Sequence, residues 1–371
     1  MTESTTKKVK EPLFHITKRA SMPFWKAAGI RVLSVLAAVI ICSVMSTILI
    51  GRNPFAIFGT FVKGIFIDPW TLLQDTALLL AFGLAIVPAF RMKYWNMGAN
   101  GQVLMGCLAA IYCMINVPDK VPGGVVIIIM LLAAIAVSVL WAAIPAIFKA
   151  LFNTNETLFT LMMNYIAIQL TSFAVSKWEN PPGSNSIGTI NSKGDVKYVG
   201  WIGNMFSDGY NKDFMWTVIV VLVLATLVYL YLKYTKHGYE IAVVGDSENT
   251  ARYAGIRVSR VYVRTMLVSG AICGLAGFIA VSGAAHTIST TVSGGRGFTA
   301  IIVAWLAKMN PFVMILISAL LSFLDKGAVQ IASDFGLNEY VSQIISGVIL
   351  FFILGSEFFI NYQVKAGGKH K

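Results

Sequence analysis

The feature that most limits what this chain can become is a series of long apolar stretches without a single charged residue. Val32–Ile50, Gly124–Phe148, Thr157–Ser176, Phe214–Leu232 and Thr265–Ala285 are the clearest. About 20 residues of helix cross the hydrocarbon of a bilayer, so each run suits a membrane span. Strands of a membrane barrel would alternate apolar and polar residues over about ten positions, and these runs do not alternate. Several of them exclude a single anchor. Only 12% of the 371 residues are charged, about half the share a soluble domain uses to solvate its surface. Lipid must therefore cover much of this chain.

The expected fold class is an all-α polytopic membrane protein of about ten transmembrane helices, in two pseudo-repeated halves with discontinuous helices. The spans fall near 28–50, 72–90, 98–117, 124–148, 156–176, 214–233, 264–284, 297–307, 311–333 and 340–361. Residues 1–27 read as a basic cytoplasmic tail, 28–362 as the transmembrane domain and 363–371 as a second cytoplasmic tail. Basic residues resist translocation and so collect on the inside. Lys7, Lys8, Lys10, Lys18, Arg19, Lys26 and Arg31 open the chain, and Lys233, Lys236, Arg252, Arg257, Arg260 and Arg264 mark 233–264 as an inside loop. Segment 177–213 balances four Lys against four acids and should face outward. The net charge of +12 thus reflects topology and gives no reason to expect a nucleic-acid partner. Cys42, Cys107, Cys113 and Cys273 all fall inside apolar runs, where packing is their expected role. The polar N-terminal stretch lacks a small-residue cleavage site after an apolar core and is not read as a signal peptide.

Two segments make poor spans. One is Trp95-Asn96-Met97-Gly98-Ala99-Asn100-Gly101-Gln102; the other is Ser293-Gly294-Gly295-Arg296-Gly297-Phe298, followed by a short apolar run ending before Lys308-Met309-Asn310-Pro311. Glycine clusters with amides suggest backbone leaving the helix near membrane depth, which is tolerable only where protein buries it or it lines a wet cavity. Transporters place paired breaks of this kind at the solute path. Each alone reads equally well as a glycine-rich helix start at the interface; the pair, one in each half, favours a path.

These motifs also carry a resemblance. The 95–102 stretch is similar to the Phe-Asn-Ile-Gly-Ala-Glu-Gly-Gln signature of a branch of ABC importer permeases. Asn155-Glu156, followed by Leu161-Met162-Met163-Asn164-Tyr165, is similar to a second signature of that branch. Gly238-Tyr239-Glu240 through Val244-Gly245-Asp246, then Ala251-Arg252-Tyr253-Ala254-Gly255-Ile256, matches its coupling-loop pattern. Gly270 through Gly277, Gly297-Phe298 and Asn310-Pro311 follow in the same order. The chain therefore resembles permeases of the branched-chain amino acid and simple-sugar class of ABC importers, in particular the nucleoside-importer branch. The likeness runs from about residue 70 to about 350. It departs at Asn100, where the branch carries an acid.

The resemblance implies a nucleoside permease of the cytoplasmic membrane that is not itself an enzyme. No cofactor is expected on this chain, with ATP and Mg held by a separate cytoplasmic ATPase subunit. The other implied partners are a second permease chain, same or related, and an extracytoplasmic solute-binding protein that docks on 177–213. The sequence itself has no phosphate loop of the Gly-x-x-x-x-Gly-Lys-Ser/Thr kind and no His, Cys or carboxylate cluster at metal spacing.

For the solute path, the candidates are Trp95, Asn96, Asn100, Gln102, Glu156, Asn164 and Phe298. Amides and a carboxylate can bond ribose hydroxyls and base edges, and Trp95 or Phe298 can stack on a base. Glu156 equally suits the dipole of a helix start, and Asn164 equally suits bonding between helices. For ATPase coupling the candidates are Asp246, Ser247, Glu248, Asn249, Arg252, Tyr253 and Gly255: Asp246 and Ser247 suit N-caps, and Gly255 suits the stop of a short helix. As a solvated loop the same stretch would need no partner. Asp75 and Asp325 read as structural charges, the latter near a helix break, and Gly270, Gly274 and Gly277 as sites of close helix approach. Two alternatives stay open. One is a permease for a sugar or branched-chain amino acid. The other is an ion-coupled carrier, which would need a buried carboxylate on the path.

Overall fold

The computed structural model describes residues 14–19, 22–51, 53–118, 121–184, 187–192, 197–205, 213–290, 292 and 295–366. Parts of both tails, parts of the 177–213 segment, and Ser293 and Gly294 of the second break lie outside the described residues. Among the described residues, nine helices are long and apolar enough to cross a membrane, and a tenth apolar helix is shorter. The polytopic all-α class holds, with the short tenth helix marking where one expected span is incomplete.

The chain divides into two compact units. The first, residues 1–67 and 323–371, contains α1 (Phe24–Ile50), α2 (Pro54–Ile67), the end of α12 (Pro311–Asp334) and α13 (Glu339–Asn361). Arg31 and Glu357 tie α1 to α13 through an ion pair of 2.5 Å. Gly327 lies against the Phe61 ring and Gly64 against Gln330, so α2 packs on the end of α12. The sequence reading had no counterpart for α2, whose 14 residues are too few to span. It also placed Asp325 near a helix break. The structure corrects that: Asp325 sits inside continuous α12 and accepts a 2.7 Å hydrogen bond from Ser346. Beyond the helices, β1 (Phe14–Lys18) and β2 (Tyr362–Ala366) pair antiparallel, Phe14 opposite Ala366. This ladder holds the two tails on the same side.

The second unit, residues 68–322, contains α3 (Pro69–Arg91), α4 (Ala99–Asn116), α5 (Gly123–Phe152), α6 (Glu156–Trp178), α7 (Asp213–Tyr234), α8 (Lys236–Asp246), α9 (Glu248–Tyr253), α10 (Val258–Ile279) and α11 (Arg296–Leu306). Its spans are not equivalent. The most apolar windows of α3 and α10 are 78% buried within the protein, against 33% for α5, α6 and α7. Lipid-facing spans thus surround two protein-covered ones, and the site should be sought beside α3 and α10.

Glycine brings the neighbours of α10 close. A Cβ on Gly274 would stand 2.6 Å from the Ala134 carbonyl oxygen of α5, and one on Gly277 would stand 2.6 Å from the Val103 carbonyl oxygen of α4. A Cβ on Gly106 would in turn lie 3.1 Å from the Cα of Gly274. Small residues permit such approach between membrane helices, where dispersion contacts replace the missing hydrophobic driving force. Because the obstructing atoms are backbone, they cannot rotate away. Gly274→Ala should therefore destabilise the protein by about 1–3 kcal/mol, read as a lower unfolding temperature in detergent. Gly347→Ala, in α13 with open space around it, should be neutral or slightly stabilising through helix propensity.

Candidate functional site

The first break begins where α3 ends. Lys93 takes a left-handed φ of 59°, and Tyr94 N–H donates back to the Ala89 carbonyl, closing the helix. The chain then makes tight turns, with Asn96 N–H donating to Tyr94 O and Met97 N–H to Trp95 O, before α4 starts. Asn96 is fully buried, and its amide pairs reciprocally with Gln102: Nδ2 donates to Gln102 Oε1 at 3.2 Å and Gln102 Nε2 donates to Asn96 Oδ1 at 3.3 Å. Asn96 Oδ1 also accepts from Gly98 N–H at 3.2 Å, while Cys273 Sγ donates to Gln102 Oε1 at 3.3 Å. Trp95 stacks on Trp305 of α11 at 5.4 Å and meets the Phe90 ring edge at 5.3 Å. Gly98 presses on Thr160 and Gly101 on Asn164, fastening the start of α4 to α6.

The second break follows α10, whose last turn widens into a π-helix over Ala280–Ala285. Gly295, at φ 72°, then precedes α11. With 11 residues, α11 is about 16 Å long, roughly half the hydrocarbon thickness. Arg296, its first residue, pairs with Asp75 of α3 at 2.6 Å. Gly297 packs on Asn100, where an added Cβ would lie 2.6 Å from the Asn100 Cβ and 2.9 Å from its Oδ1. The two breaks therefore meet. The starts of α4 and α11 converge at Asn100 and Gly297, and among the described residues neither start has a side-chain cap. Asn100 Oδ1 is buried there with no hydrogen-bond partner among the described residues, and so is Asn164 Oδ1 one helix away. A buried acceptor left unmade is unfavourable by about 1–3 kcal/mol, so a ligand donor reaching either atom would be favourable.

The expected residues thus separate. Asn100 and Asn164 lie near the convergence with acceptors to offer. Asn96 and Gln102 are adjacent in space but bonded to each other, and Trp95 is covered by Trp305. Glu156 lies away from this point, in the first turn of α6, paired with Lys149 at 3.0 Å. Phe298, in the first turn of α11, is 54% exposed. The sequence reading missed the Asp75–Arg296 pair; the clue was an arginine inside the second glycine cluster, a charge with no reason to be at that depth unless paired.

Beyond α7 the connecting segment covers 235–257 between helices, narrower than the 233–264 expected. It holds α8 as well as a short helix. Thr235 caps α8, and Gly245 lies so close to the Arg91 carbonyl that a Cβ would be 2.2 Å from it. Ser247 caps α9 by accepting from Thr250 N–H at 3.3 Å. Asp246 does not share that role; it is the last residue of α8, because the chain turns one residue later than its cap-like side chain suggested. Glu248 accepts from the Tyr262 hydroxyl, Arg252 lies 3.6 Å from Glu248, and Gly255 at φ 77° follows the end of α9. Tyr253 is 94% exposed, and Asn249 and Arg252 are also exposed. A 180 Å³ cavity between Tyr94, Lys149, Glu156, Gly245, Glu248 and Tyr262 joins this segment to the first break.

A family model described as "branched-chain amino acid transport system / permease component" matches residues 66–354. The chain belongs to that family. It is accordingly a transport permease subunit and a multi-pass protein of the cell membrane. The glucose ABC transporter permease protein TsgB13 of Haloferax volcanii is 27% identical over 93% of this chain and 92% of its own length. The guanosine ABC transporter permease protein NupP of Bacillus subtilis is 30% identical over 77% of this chain and 80% of its own. The nucleoside ABC transporter permease protein NupB of Lactococcus lactis is 25% identical over 76% and 77%. The family match covers both breaks and the 235–257 segment. It leaves β1, all of α1, most of α2 and β2 outside.

At the opposite end of the permease, the loop after α6 is fastened to the π turn. Ser282 Oγ donates to Gly200 O at 2.6 Å, Asn191 Nδ2 donates to Met114 O at 3.2 Å, and Trp201 stacks on His286 at 3.5 Å. Burial lowers the His286 pKa from 6.5 to about 4. The unfolded chain therefore binds this proton more readily than the folded one. Stability contributed by neutral His286 should be complete above pH 6.5 and decline as pH falls toward about 4. His286→Phe keeps a ring on Trp201 and should flatten that part of the stability–pH curve, measured by thermal unfolding.

Proposed function

We propose that this permease carries a nucleoside along a path through the meeting point of the two breaks, driven by ATP hydrolysis on a separate subunit. The observation that carries the path is the pair of buried acceptors, Asn100 Oδ1 and Asn164 Oδ1, that have no partner among the described residues and lie beside two helix starts without a side-chain cap there. Ribose hydroxyls and base N–H groups are the donors that would complete them, and first-turn N–H groups of α4 and α11 without a side-chain cap can meet base carbonyls. Asn96, Gln102 and Trp95 then act as positioning residues that hold the broken backbone, and Phe298 offers an exposed ring near the entrance of α11. The likeness to the guanosine and nucleoside permeases supports the nucleoside over other solutes. A sugar is the second reading, favoured by the glucose permease that matches nearly the whole chain; its hydroxyls would serve the same acceptors.

In this reading 177–213 faces outward and receives a solute-binding protein, while the termini and the 235–257 segment face the cytoplasm. There α9 offers Asn249, Arg252 and Tyr253 to the ATPase subunit, and Ser247, Glu248 and Gly255 fix its shape. Asp246 and Gly245 join it to α8 and the end of α3. A second permease chain, same or related, completes the transporter. No cofactor on this chain enters the cycle.

Uptake into vesicles that contain the ATPase subunit tests the solute and the path together. Asn100→Ala and Asn164→Ala should each raise the apparent KM for guanosine about five- to tenfold, the loss of one hydrogen bond. Guanosine uptake outcompeted by excess glucose, or sustained by an ion gradient without ATP, overturns the nucleoside or the ABC reading respectively. Replacing 246–254 by a Gly/Ser linker should leave solute binding in place and abolish ATP-driven uptake; unchanged uptake would remove the coupling role from α9.

A further inference from the structure

We propose that the cleft between the ends of α3, α7 and α11 and the start of α12 binds the phosphate headgroup of an anionic phospholipid. The cleft has a volume of about 600 Å³ and is lined by Arg91, Lys93, Lys233 and Lys308, with Phe90 and Tyr229 among its apolar walls. Among the described residues, no carboxylate lines it. The four cations come from three separate stretches of chain and are all exposed. Lys233 donates to the Tyr229 hydroxyl at 2.7 Å and lies over the rings of Tyr229 and Tyr234 at 5.1 and 5.3 Å. Tyrosines ending a span mark the membrane–water boundary, which places the cations at headgroup level and the apolar walls beside acyl chains. Basic pockets between spans at that level suit phosphate headgroups.

The backbone adds a second argument. Lys93 has φ 59° and Lys308 has φ 49°. Lys93 N–H donates to Phe90 O and Tyr94 N–H to Ala89 O; Lys308 N–H donates to Trp305 O and Met309 N–H to Ala304 O. Both helices end in the same Schellman motif, whose left-handed position usually holds glycine because a side chain is strained there. This chain instead places lysine at that position twice, and both lysines open onto one cleft. The dipole of a helix end favours a cation nearby, but that would be met equally by a lysine in the last turn, where no strain arises. A neighbouring cavity lined by Lys236, Arg257, Arg260 and Arg264 differs, since it includes Glu240, bonded to Arg264 at 2.7 Å, and belongs to the 235–257 segment.

The proposal rests on the membrane placement of the chain and not on which solute it carries. Its strength as a test is that glycine is the favoured residue at both positions, so Lys93→Gly with Lys308→Gly should leave folding intact or raise the unfolding temperature in phosphatidylcholine nanodiscs. Lipid retention is read by native mass spectrometry of the full chain after exchange from phosphatidylcholine mixed with phosphatidylglycerol. The double glycine variant should retain phosphatidylglycerol roughly thirtyfold more weakly, the effect of two cations near an anionic headgroup. Lys93→Arg with Lys308→Arg should restore it. Unchanged retention in the glycine variant would overturn the proposal. So would displacement of the lipid by millimolar inorganic phosphate, which would make the cleft a site for soluble anions. Loss of ATPase co-purification with lipid retention unchanged would make it a protein dock instead.

Discussion

The second unit depends on how closely α10 can lie to α4 and α5. Gly106 of α4 approaches Gly274, while Gly270 and Gly274 lie on α5 and Gly277 on the backbone of α4. Helices in lipid gain nothing from hiding apolar surface from water, because both sides are apolar. Van der Waals contact must supply the association, and it does so only at short range. Glycine at these positions converts three lipid-soluble rods into one body. The consequence reaches the breaks: Ser269 and Cys273, on the same helix, touch the Asn96–Gln102 amide pair. If α10 stood even one methyl further out, that pair would lose its outer contacts.

Irregular backbone at membrane depth has to find hydrogen bonds in the protein, since lipid offers none. The first break solves this almost completely. Asn96 takes on the role of a missing turn, accepting from Gly98 N–H and exchanging bonds with Gln102. Against that background Asn100 Oδ1 and Asn164 Oδ1, without a hydrogen-bond partner among the described residues, stand out. Asn100 and Asn164 flank a region where neighbouring amides are fully bonded, so a general shortage of donors does not explain them. At this depth the second break is held by charge instead, through Arg296 and Asp75. One break is fastened by neutral amides and the other by an ion pair, and the half-length α11 lies between them, stacked on Trp95 through Trp305.

Much of the fold was legible because the bilayer leaves so few options. Length and absence of charge locate the spans, and the shortness of the run after Phe298 gives away α11. Two helices and both strands escaped. The helix α2 is apolar but too short to read as a span, and α8 is hidden by Gly238 and Gly245, which look like loop residues until their tight contacts with Leu232 and Arg91 are seen. Strands β1 and β2 lie far apart in sequence, and no local pattern predicts a pairing across the whole chain. At the site, residue types alone could not distinguish Asn96 from Asn100. Both are amides in one glycine-rich octet, and only the partner across space makes one structural and leaves the other available. Glu156 shows the same limit, since a carboxylate at a helix start suits a ligand or a lysine equally, and Lys149 takes it.

The contacts of Gly245 bear on how a motor could act on such a permease. Exposed α9 is not a free arm. Its Glu248 is held by Tyr262 at the start of α10, Ala251 is buried, and α8 before it lies on the carbonyl end of α3. A push on Tyr253 would therefore reach two places at once, the beginning of α10 and the last turn of α3, where the first break begins. Those are the two most protein-covered spans. They carry Asp75, Phe90, Ser269 and Cys273, side chains that contact the two breaks. Coupling needs an element with two arrangements that both sites can bias. The irregular stretch from Met92 to Gly98 is held by short turns and by the Asn96 side chain in place of a continuous helical ladder, so rearranging it would break fewer helical bonds than rearranging α3 or α4.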